Sequence, residues 1–434
     1  MKVFQTVRGM RDFLPEDLAK RRLVEDKVRE CFRLYGYEEI ETPVVESFEL
    51  IAAKVGEEIR HRMYAFKDLS GRRVAMRPEM TASVVRVVAG KLRSEAKPLR
   101  LGYIANCFRY DNPQMGRYRE FWQAGFELFG SGRVEADAEI IIVFHDLMRK
   151  LGFHEFTIKV GNVGILRGLL DTEGVREEDQ NVVMGFLDKR KIKKALSYLD
   201  ELKVSEVCRA VVKKLVAIKG NDQTKVIAKG RETIGENDEA LAALSNLEKV
   251  VKLSKEGGVT STILVDLGFT RGLEYYTGII FEVFVPHLDI ALGGGGRYDK
   301  LVELFGGEQT PAVGCAPGID RIVLAMEKEG FFSGKTSLST AVLVIPIGEG
   351  LVSKALEVAA TLRNRGIPVQ VEVSGRGLGS ALSHADKQSF TFAVIVGSRE
   401  VEKGSVTVRD LRTKVQREVP IANVADELRK NPKI

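Results

Sequence analysis

The segment from Gly268 to Gly278 places an arginine and two adjacent tyrosines between glycines, which suits a binding site for a small polar ligand. Glycine allows the backbone to approach a ligand closely. Arg271 carries a planar, permanently charged guanidinium that matches a carboxylate or a phosphate, and Tyr275 and Tyr276 offer flat walls with polar tips. Taken alone, this segment is more typical of an aromatic β-hairpin with one solvated arginine.

A second group of polar residues lies in residues 108–127, which read as strand, turn and strand with Pro113 and Gly116 in the turn. Alternate residues of an antiparallel pair share one face of the sheet. The residues of shared parity are Arg109, Arg117, Arg119, Gln123, Gly125 and Glu127. A cationic cluster beside a carboxylate suits a triphosphate bound next to an amino-bearing substrate, although a basic surface hairpin would show the same pattern.

Composition indicates a globular protein of two or three domains, because 434 residues exceed what one compact core usually holds. Hydrophobic residues make up 44% of the chain, yet no apolar run reaches the ~20 residues that span a bilayer. The first residues lack the apolar core of a secretory signal, and the four cysteines are scattered without a CxxC pair. We therefore expect a cytoplasmic protein with no membrane segment, no zinc site and no disulfide framework. The formal charge of +6 permits an anionic partner without requiring one.

The first part of the chain mixes helices and strands that would hold these two groups. Apolar spacing predicts a helix over Pro15–Tyr35 that Gly36 ends, and then a strand from Ile40 to Val45. Pro43 places that strand at an edge or a contact surface. Further predicted elements are strands at 73–76, 99–108, 121–129, 261–267 and 279–285, and helices at 138–151 and 319–328.

Three other regions differ from this part in composition or in periodicity. Residues 171–255 are rich in charge and helical in periodicity, which predicts a helical insertion. Residues 331–340 are small and polar and are predicted to be a linker. Residues 341–434 alternate strands and helices with short connections, which predicts a small α/β domain with a largely parallel sheet. Its predicted strands are 341–347, 369–373, 392–396 and 406–409, and its predicted helices are 350–365, 379–387 and one at the terminus.

Three motifs in order resemble the class II aminoacyl-tRNA synthetases. The run from Phe108 to Asp111 with its loop and return strand resembles their motif 2. Gly314–Arg321 resembles motif 3, and the stretch from Gly36 to Pro43 resembles the dimer-forming motif 1. Four further stretches are similar to signatures of the histidyl-tRNA synthetase family. They are Arg8–Pro15, Met76–Thr81, Arg271–Tyr276 and Leu292–Asp299.

This resemblance implies a role for individual residues. It implies that histidine is bound by Glu79, Met80, Thr81, Arg109, Gln123, Glu127, Arg271, Tyr275 and Tyr276. It implies that ATP is bound by Arg109, Asp111, Arg117 and Arg321, that Arg271 and Arg109 act in catalysis, and that Gln114 meets the acceptor end of the tRNA. The chain departs from the family pattern at Asp111, Trp122 and Glu274, where a glutamate, a histidine and an aspartate are frequent.

The resemblance also implies an architecture and a reaction. The expected fold is an α+β catalytic domain at 1–170 and 256–330, with an antiparallel sheet flanked by helices and a helical insertion at 171–255. An α/β anticodon-binding domain is expected at 341–434. The implied activity is ligation of histidine to histidine tRNA with ATP and Mg²⁺, through a histidyl-adenylate, in a homodimer. The alternative is a histidine-sensing regulatory paralogue of ATP phosphoribosyltransferase, which lacks catalysis, typically lacks the anticodon domain and loses the ATP-binding arginines.

Overall fold

The structure is a computed structural model that describes residues 4–53, 60–271, 274–332 and 342–430. The chain divides into two compact units, one formed by the described residues up to 332 and the other by those from 342 onward. Most of the predicted linker at 331–340 lies outside the described residues. Across the described ranges, no helix is both long enough and apolar enough to cross a membrane.

A nine-stranded sheet forms the centre of the first unit, in the order β1-β5-β6-β12-β11-β10-β7-β9-β8. A separate three-stranded sheet has the order β2-β4-β3. The strands are β1 (Glu38–Glu39), β2 (Val45–Ser47), β3 (Ala65–Lys67), β4 (Arg73–Met76), β5 (Leu99–Phe108), β6 (Glu120–Phe129), β7 (Thr157–Asn162), β8 (Lys219–Gly220), β9 (Thr262–Asp266), β10 (Ile279–Phe284), β11 (Gly293–Arg297) and β12 (Ala312–Pro317). Only β1 with β5 and β7 with β9 pair in parallel among these described strands, so the predicted antiparallel sheet is confirmed.

Helices cover this sheet. They are α1 (Pro15–Tyr35), α2 (Phe48–Ala52), α3 (Thr81–Ala89), α4 (Val134–Lys150), α5 (Val163–Thr172), α6 (Glu177–Asp188), α7 (Ile192–Glu201), α8 (Glu206–Leu215), α9 (Gln223–Ile234), α10 (Asp238–Glu256), α11 (Leu301–Leu304) and α12 (Ile319–Lys328). The first helix has the predicted bounds, because Pro15 starts it and Gly36 ends it with a positive φ of 70°.

The two faces of β6 pack against different groups of side chains. Its even-numbered residues Ala124, Phe126 and Leu128 belong to the main apolar core, which also contains α1 and α4 residues. Its odd-numbered residues face the other way, toward the cluster that contains Tyr103 and the two tyrosines of the 275–276 pair. This alternation leaves Gln123 and Glu127 on the face that carries the site described below.

The predicted strand from Ile40 to Val45 is wrong for most of its length. The strands are Glu38–Glu39 and Val45–Ser47, and Pro43 lies between them. Proline cannot donate a ladder hydrogen bond. The carbonyl groups of Thr42 and Pro43 instead accept from the Nη1 of Arg77, at 2.8 and 3.3 Å. A buried side chain therefore replaces a neighbouring strand at these two residues, while the backbone N–H of Ile40 still donates to the carbonyl of Gly102 on β5 at 2.8 Å.

The region predicted as a helical insertion contains helices α6 to α10 and the two-residue strand β8, which pairs with β9 at the end of the large sheet. Helix α10 packs against α5 and α4, which precede the insertion. The insertion is thus continuous with the main core. The bounds of the insertion, residues 171 and 255, stay a prediction.

The second unit holds a five-stranded sheet in the order β14-β13-β15-β16-β17. Its strands are β13 (Val342–Pro346), β14 (Val369–Val371), β15 (Phe392–Val396), β16 (Ser405–Asp410) and β17 (Gln416–Pro420), and its helices are α13 (Val352–Asn364), α14 (Leu378–Lys387), α15 (Ser398–Glu402) and α16 (Val424–Arg429). The expectation of a largely parallel sheet is correct only for β13, β14 and β15. Strands β16 and β17 form an antiparallel hairpin instead, turned at Asp410, which accepts from two turn amides.

Candidate active site

A cavity of about 340 Å³ opens over the middle of the nine-stranded sheet. Strands β6, β11 and β12 provide its floor, and the hairpin between β5 and β6 and the start of α12 provide one side. Eleven of the residues implied by the resemblance line it. They are Glu79, Thr81, Arg109, Asp111, Arg117, Gln123, Glu127, Arg271, Tyr275, Tyr276 and Arg321.

Glu127 is the carboxylate at the floor of the cavity and is almost fully buried, with 1% of its surface exposed. Its Oε1 accepts from the hydroxyl of Thr81 at 3.1 Å, and its Oε2 accepts a short hydrogen bond from the hydroxyl of Tyr298. Burial raises the pKa of Glu127 to about 8, an effect that the Tyr298 bond opposes and the nearby Glu79 carboxylate increases. The free site therefore favours a neutral carboxyl group at this position near pH 7.

Gly314 on β12 is required beside Glu127. The two residues are partners across the β12–β6 ladder, and a Cβ on Gly314 would lie 1.7 Å from the Oε2 of Glu127. Any side chain at this position would displace the carboxylate from the floor. The glycine of the third motif thus makes room for a buried acid on the neighbouring strand.

Glu79 and Thr81 lie at the start of α3. Both carboxylate oxygens of Glu79 accept backbone N–H groups of the first helical turn, from Thr81 at 2.7 Å and from Ala82 at 3.0 Å. A carboxylate at a helix N-terminus is favoured by the unpaired amides and by the helix dipole. Glu79 is consequently held in one orientation, with its remaining lone pairs available to the cavity that it lines.

The tyrosine pair forms a wall of the cavity. The rings of Tyr275 and Tyr276 lie 4.9 Å apart and are largely buried, and Tyr275 packs edge-on against Tyr298 at 5.8 Å. The Nη1 of Arg271 donates to the hydroxyl oxygen of Tyr276 at 3.2 Å. The tyrosine hydroxyl therefore keeps its own proton free to donate to a ligand.

Arg271 is also paired with a carboxylate that the sequence did not single out. Its Nε lies 3.4 Å from the Oε1 of Glu282 on β10, and the Oε2 of Glu282 lies 3.7 Å from the Nζ of Lys159. A Cβ on Gly294 would lie 2.9 Å from the Nη1 of Arg271, so the glycine strand leaves the guanidinium its space. The position of Arg271 is thus set from two sides.

Three further arginines face the same space as Arg271. Arg109 donates from Nε to the carbonyl of Pro78 at 2.8 Å. Arg321 donates to the carbonyl groups of Gly116 at 3.2 Å and Ala291 at 2.8 Å. Burial, together with the positive charges of Arg109 and Arg117, lowers the pKa of Arg321 to about 10. A group of cations that repel one another in a half-enclosed cavity is a site for a polyanion.

Asp111 lines the cavity beside Arg62, whose Nη1 lies 3.0 Å from its Oδ1. Arg119 was expected to join the cationic cluster, but its side chain makes its contacts elsewhere. Its guanidinium donates to the carbonyl groups of Asp111 and Arg8 and stacks on the ring of Tyr110 at 3.7 Å. Arg119 therefore ties the N-terminal segment to the hairpin, and other residues line the cavity.

Two more of the implied residues do not line the cavity. The side chain of Met80 is completely buried in the apolar cluster under α3, with its sulfur 4.0 Å from the Oγ1 of Thr42. Gln114 is exposed at the tip of the β5–β6 hairpin, where it exchanges backbone hydrogen bonds with Arg117. Gln114 is therefore placed to contact a ligand that approaches the hairpin from outside the cavity.

Tyr298 and Glu282 are lining residues that sequence reasoning missed. Tyr298 lies within Leu292–Asp299, which resembles a family signature, but the sequence does not show that Tyr298 meets Glu127 or that Glu282 meets Arg271. Each of these contacts joins separate segments of the chain. Cys315 also lines the cavity, but burial raises the pKa of its thiol well above the ordinary value, which makes it a poor nucleophile. The arrangement suits binding and charge stabilisation of a nucleotide beside a small polar ligand, without covalent catalysis.

Comparison with known proteins assigns this arrangement to a family. The family model described as "Histidyl-tRNA synthetase" matches residues 9–322, and the one described as "Anticodon binding domain" matches residues 341–431. Among curated relatives, the histidine–tRNA ligase of Methanocaldococcus jannaschii is 41% identical over 96% of this chain and 98% of the relative. That of Pyrococcus horikoshii is 41% identical over 98% of this chain and 99% of the relative.

Solved structures agree in fold. A Nostoc histidyl-tRNA synthetase matches with a TM-score of 0.78 and 25% identity, covering 99% of this chain and 100% of its own. A Bacillus halodurans structure titled as an ATP phosphoribosyltransferase regulatory subunit/histidyl-tRNA synthetase matches with a TM-score of 0.77 and 27% identity, covering 91% of this chain and 98% of its own. The expected fold class is confirmed by these matches.

Proposed function

The chain belongs to the histidyl-tRNA synthetase family, and from that membership we infer that it ligates histidine to histidine tRNA at the expense of ATP. In the first step, a carboxylate oxygen of histidine attacks the α-phosphorus, which breaks the bond to pyrophosphate and leaves histidyl-adenylate. In the second, a hydroxyl of the terminal tRNA ribose attacks the carbonyl carbon and AMP leaves. The observation that supports this best is a buried acidic floor beside a cluster of arginines in one cavity.

We assign imidazole recognition to Glu127 and Tyr276. A neutral imidazole has one N–H donor and one acceptor nitrogen. Glu127 offers an oxygen to the donor, and the Tyr276 hydroxyl, whose oxygen already accepts from Arg271, offers its proton to the other nitrogen. Glu79, Thr81 and Gln123 would hold the α-amino group, and Tyr275 would pack on the ring.

We assign binding of the ATP triphosphate to Arg109, Arg117 and Arg321, and we expect Asp111 to contact the nucleotide. The lowered pKa of Arg321 supports this, because a bound polyanion would relieve the repulsion among the three cations. Arg271 would contact the carboxylate and the α-phosphate, where negative charge develops during attack. In-line displacement of this kind depends on positioning and charge stabilisation more than on a nucleophilic side chain.

We expect Mg²⁺ to enter with ATP and, once bound, to neutralise phosphate charge. Mg²⁺ is usually held by one or two carboxylates together with substrate phosphates, and it keeps several waters. Within the described ranges, no group of three or more Asp, Glu, His or Cys residues is placed to hold a metal. Glu282, one of several carboxylates that line the cavity, could complete such a phosphate-borne site.

We further propose that the working unit is a cytoplasmic homodimer. The segment after Pro43 and the small three-stranded sheet expose apolar side chains, with Val44, Val45 and Phe66 exposed by 37%, 42% and 47%. An exposed apolar surface of this kind suits a two-fold contact. All four cysteines are free, as expected in a reducing compartment.

We assign tRNA contacts to the β5–β6 hairpin and to the second unit. Gln114 stands exposed at the hairpin tip and is paired through its backbone with Arg117, which lines the cavity. The second unit carries exposed cations such as Arg399 and Arg412, and phosphate contacts of this type make binding salt-dependent.

Charging of histidine tRNA with labelled histidine and ATP tests this function. The expected result is ATP-dependent histidylation that stops when histidine tRNA is replaced by another tRNA. A regulatory paralogue would bind histidine without forming the ester. The retained arginines 109, 271 and 321 and the match of residues 341–431 to the anticodon-binding model favour the ligase.

A further inference from the structure

The short segment Arg297–Tyr298–Asp299 touches both halves of the imidazole site. The hydroxyl of Tyr298 donates to the Oε2 of Glu127, which is the floor of the cavity. The backbone N–H of Asp299 donates to the Oγ1 of Thr277 at 3.1 Å, and Thr277 directly follows the tyrosine pair. One short piece of chain therefore connects the floor to the tyrosine wall.

Thr277 is bound to this segment by three hydrogen bonds. Its backbone N–H donates to the carbonyl of Arg297 at 2.8 Å, and its hydroxyl donates to the same carbonyl at 3.4 Å while accepting from Asp299. These bonds extend the β10–β11 ladder beyond its last paired residues, Ile280 and Gly296. Gly278, the next residue, is held separately, because its carbonyl accepts from the backbone N–H of Val163 at 3.0 Å, so the bonds to residues 297 and 299 are what fix Thr277 itself.

The segment itself is fixed deep in the fold. Arg297 is 7% exposed, and its guanidinium donates to the Oδ1 of Asp137 at 2.8 Å and to the Oδ1 of Asp299 at 2.9 Å. It also donates to the backbone carbonyl of Ser131 at 3.0 Å. Asp299 additionally accepts from the backbone N–H of Ala312, at the start of the strand that carries Gly314. The segment 297–299 is therefore fixed at both ends: Arg297 is buried against the buried Asp137, and the partly exposed Asp299 is bonded to Arg297 and Ala312.

We propose that Thr277 is a positioning residue for histidine, which fixes the Tyr276 hydroxyl at the correct distance from the Glu127 carboxylate. This rests on the proposed function, in which those two groups address the two ring nitrogens. A ring with fixed nitrogen positions can satisfy both groups only if the wall and the floor keep one separation. The clamp of Thr277 onto residues 297–299 sets that separation.

Thr277→Val tests the clamp, because it removes the hydroxyl with little change of shape at a half-buried position. The hydroxyl participates in two hydrogen bonds, and the loss of about one net hydrogen bond predicts a rise of about tenfold in the KM for histidine, which corresponds to about 1.4 kcal/mol. The KM for ATP should stay within about twofold, because the phosphate arginines lie elsewhere in the cavity. Thr277→Ser keeps the hydroxyl and should restore a KM near that of the wild type.

Thr172→Val is the matched control. The hydroxyl of Thr172 also donates to a backbone carbonyl, that of Gly168 at 2.8 Å, and accepts from a nitrogen, the Nδ2 of Asn237 at 2.7 Å. It lies outside the active-site cavity, so its loss should leave both KM values unchanged. Melting temperatures of all variants separate a local effect from a loss of folded protein.

Histidine-dependent ATP–pyrophosphate exchange provides the readout. An unchanged KM for histidine in Thr277→Val, an equal defect in Thr277→Ser, or a joint rise of both KM values with a large drop in melting temperature would overturn the clamp alone. Absence of histidine-dependent exchange in the wild-type protein would overturn the proposed function, and the clamp with it.

Discussion

The substitution Glu127→Gln is predicted to change the pH dependence of stability in a definite direction. The carboxyl of Glu127 is buried and its pKa is raised to about 8 in the folded protein, against an ordinary 4.5 when unfolded. Between these two values the unfolded state releases a proton that the folded state retains. Unfolding of the wild type is therefore favoured increasingly as the pH rises from about 4.5 to about 8.

The size of the effect follows from the same two values. A difference between 4.5 and about 8 is worth up to about 5 kcal/mol of unfolding free energy, or about 1.4 kcal/mol per pH unit within that window. Glutamine cannot ionise, so the variant lacks this slope. It has only one acceptor oxygen for the hydroxyls of Thr81 and Tyr298, which adds a pH-independent loss of about 1–3 kcal/mol.

Calorimetric or urea unfolding at pH 5, 6, 7 and 8 measures the prediction. The variant should gain stability relative to the wild type by about 3–4 kcal/mol between pH 5 and pH 8, whatever its offset at pH 5. Glu95→Gln, at an exposed position, controls for removal of a surface charge. Parallel stability curves for Glu127→Gln and the wild type would refute the reasoning, because they would mean that the buried carboxyl is already ionised in the free protein.

Three further predictions concern the reaction and the assembly. Arg271→Ala should lower the rate of adenylate formation by about 10²–10³ while largely sparing histidine and ATP binding, and near-normal pyrophosphate exchange would contradict its assignment. Light scattering at micromolar concentration should give a dimer, and a fully active monomer would exclude the contact around Pro43. Deletion of residues 341–434 should impair tRNA charging far more than histidine activation; an equal fall in both, with the remainder folded, would mean that the second unit supports the active site instead of holding tRNA.

Local signals predicted many elements of this fold correctly. Pro15 and Gly36 bound the first helix as expected, and strands such as Arg73–Met76 and Leu99–Phe108 have the predicted limits. Each of these depends on periodicity or on a residue with a restricted backbone, both of which can be read within one short window. The resemblance to the class II motifs, in their order along the chain, then predicted the antiparallel sheet.

The incorrect predictions share a different cause: the local structure depends on residues that lie elsewhere in the sequence. The carbonyl groups of Thr42 and Pro43 are held by the Arg77 side chain instead of a neighbouring strand, and Met80 turns into the core because α3 begins beside it. Strand Gln416–Pro420 was missed because its residues are mostly polar and exposed, as in an edge strand.

The sequence predicted which residues form the site better than it predicted the contacts among them. The resemblance identified Glu127, Arg271 and the tyrosine pair, all of which line one cavity. Tyr298 and Glu282 complete their surroundings through side-chain contacts with Glu127 and Arg271, which belong to other segments of the chain and cannot be read from a local pattern.

ATP–pyrophosphate exchange with each amino acid in turn tests the central claim most directly. An apolar side chain would offer no partner to the remaining hydrogen-bonding capacity of the Glu127 carboxyl or to the hydroxyl proton of Tyr276, and sites of this kind reject such analogues by about 10⁴–10⁵. Histidine alone should therefore support rapid exchange, without any editing step. No exchange with histidine, or exchange with phenylalanine or leucine within about a hundredfold of the histidine rate, would contradict the account.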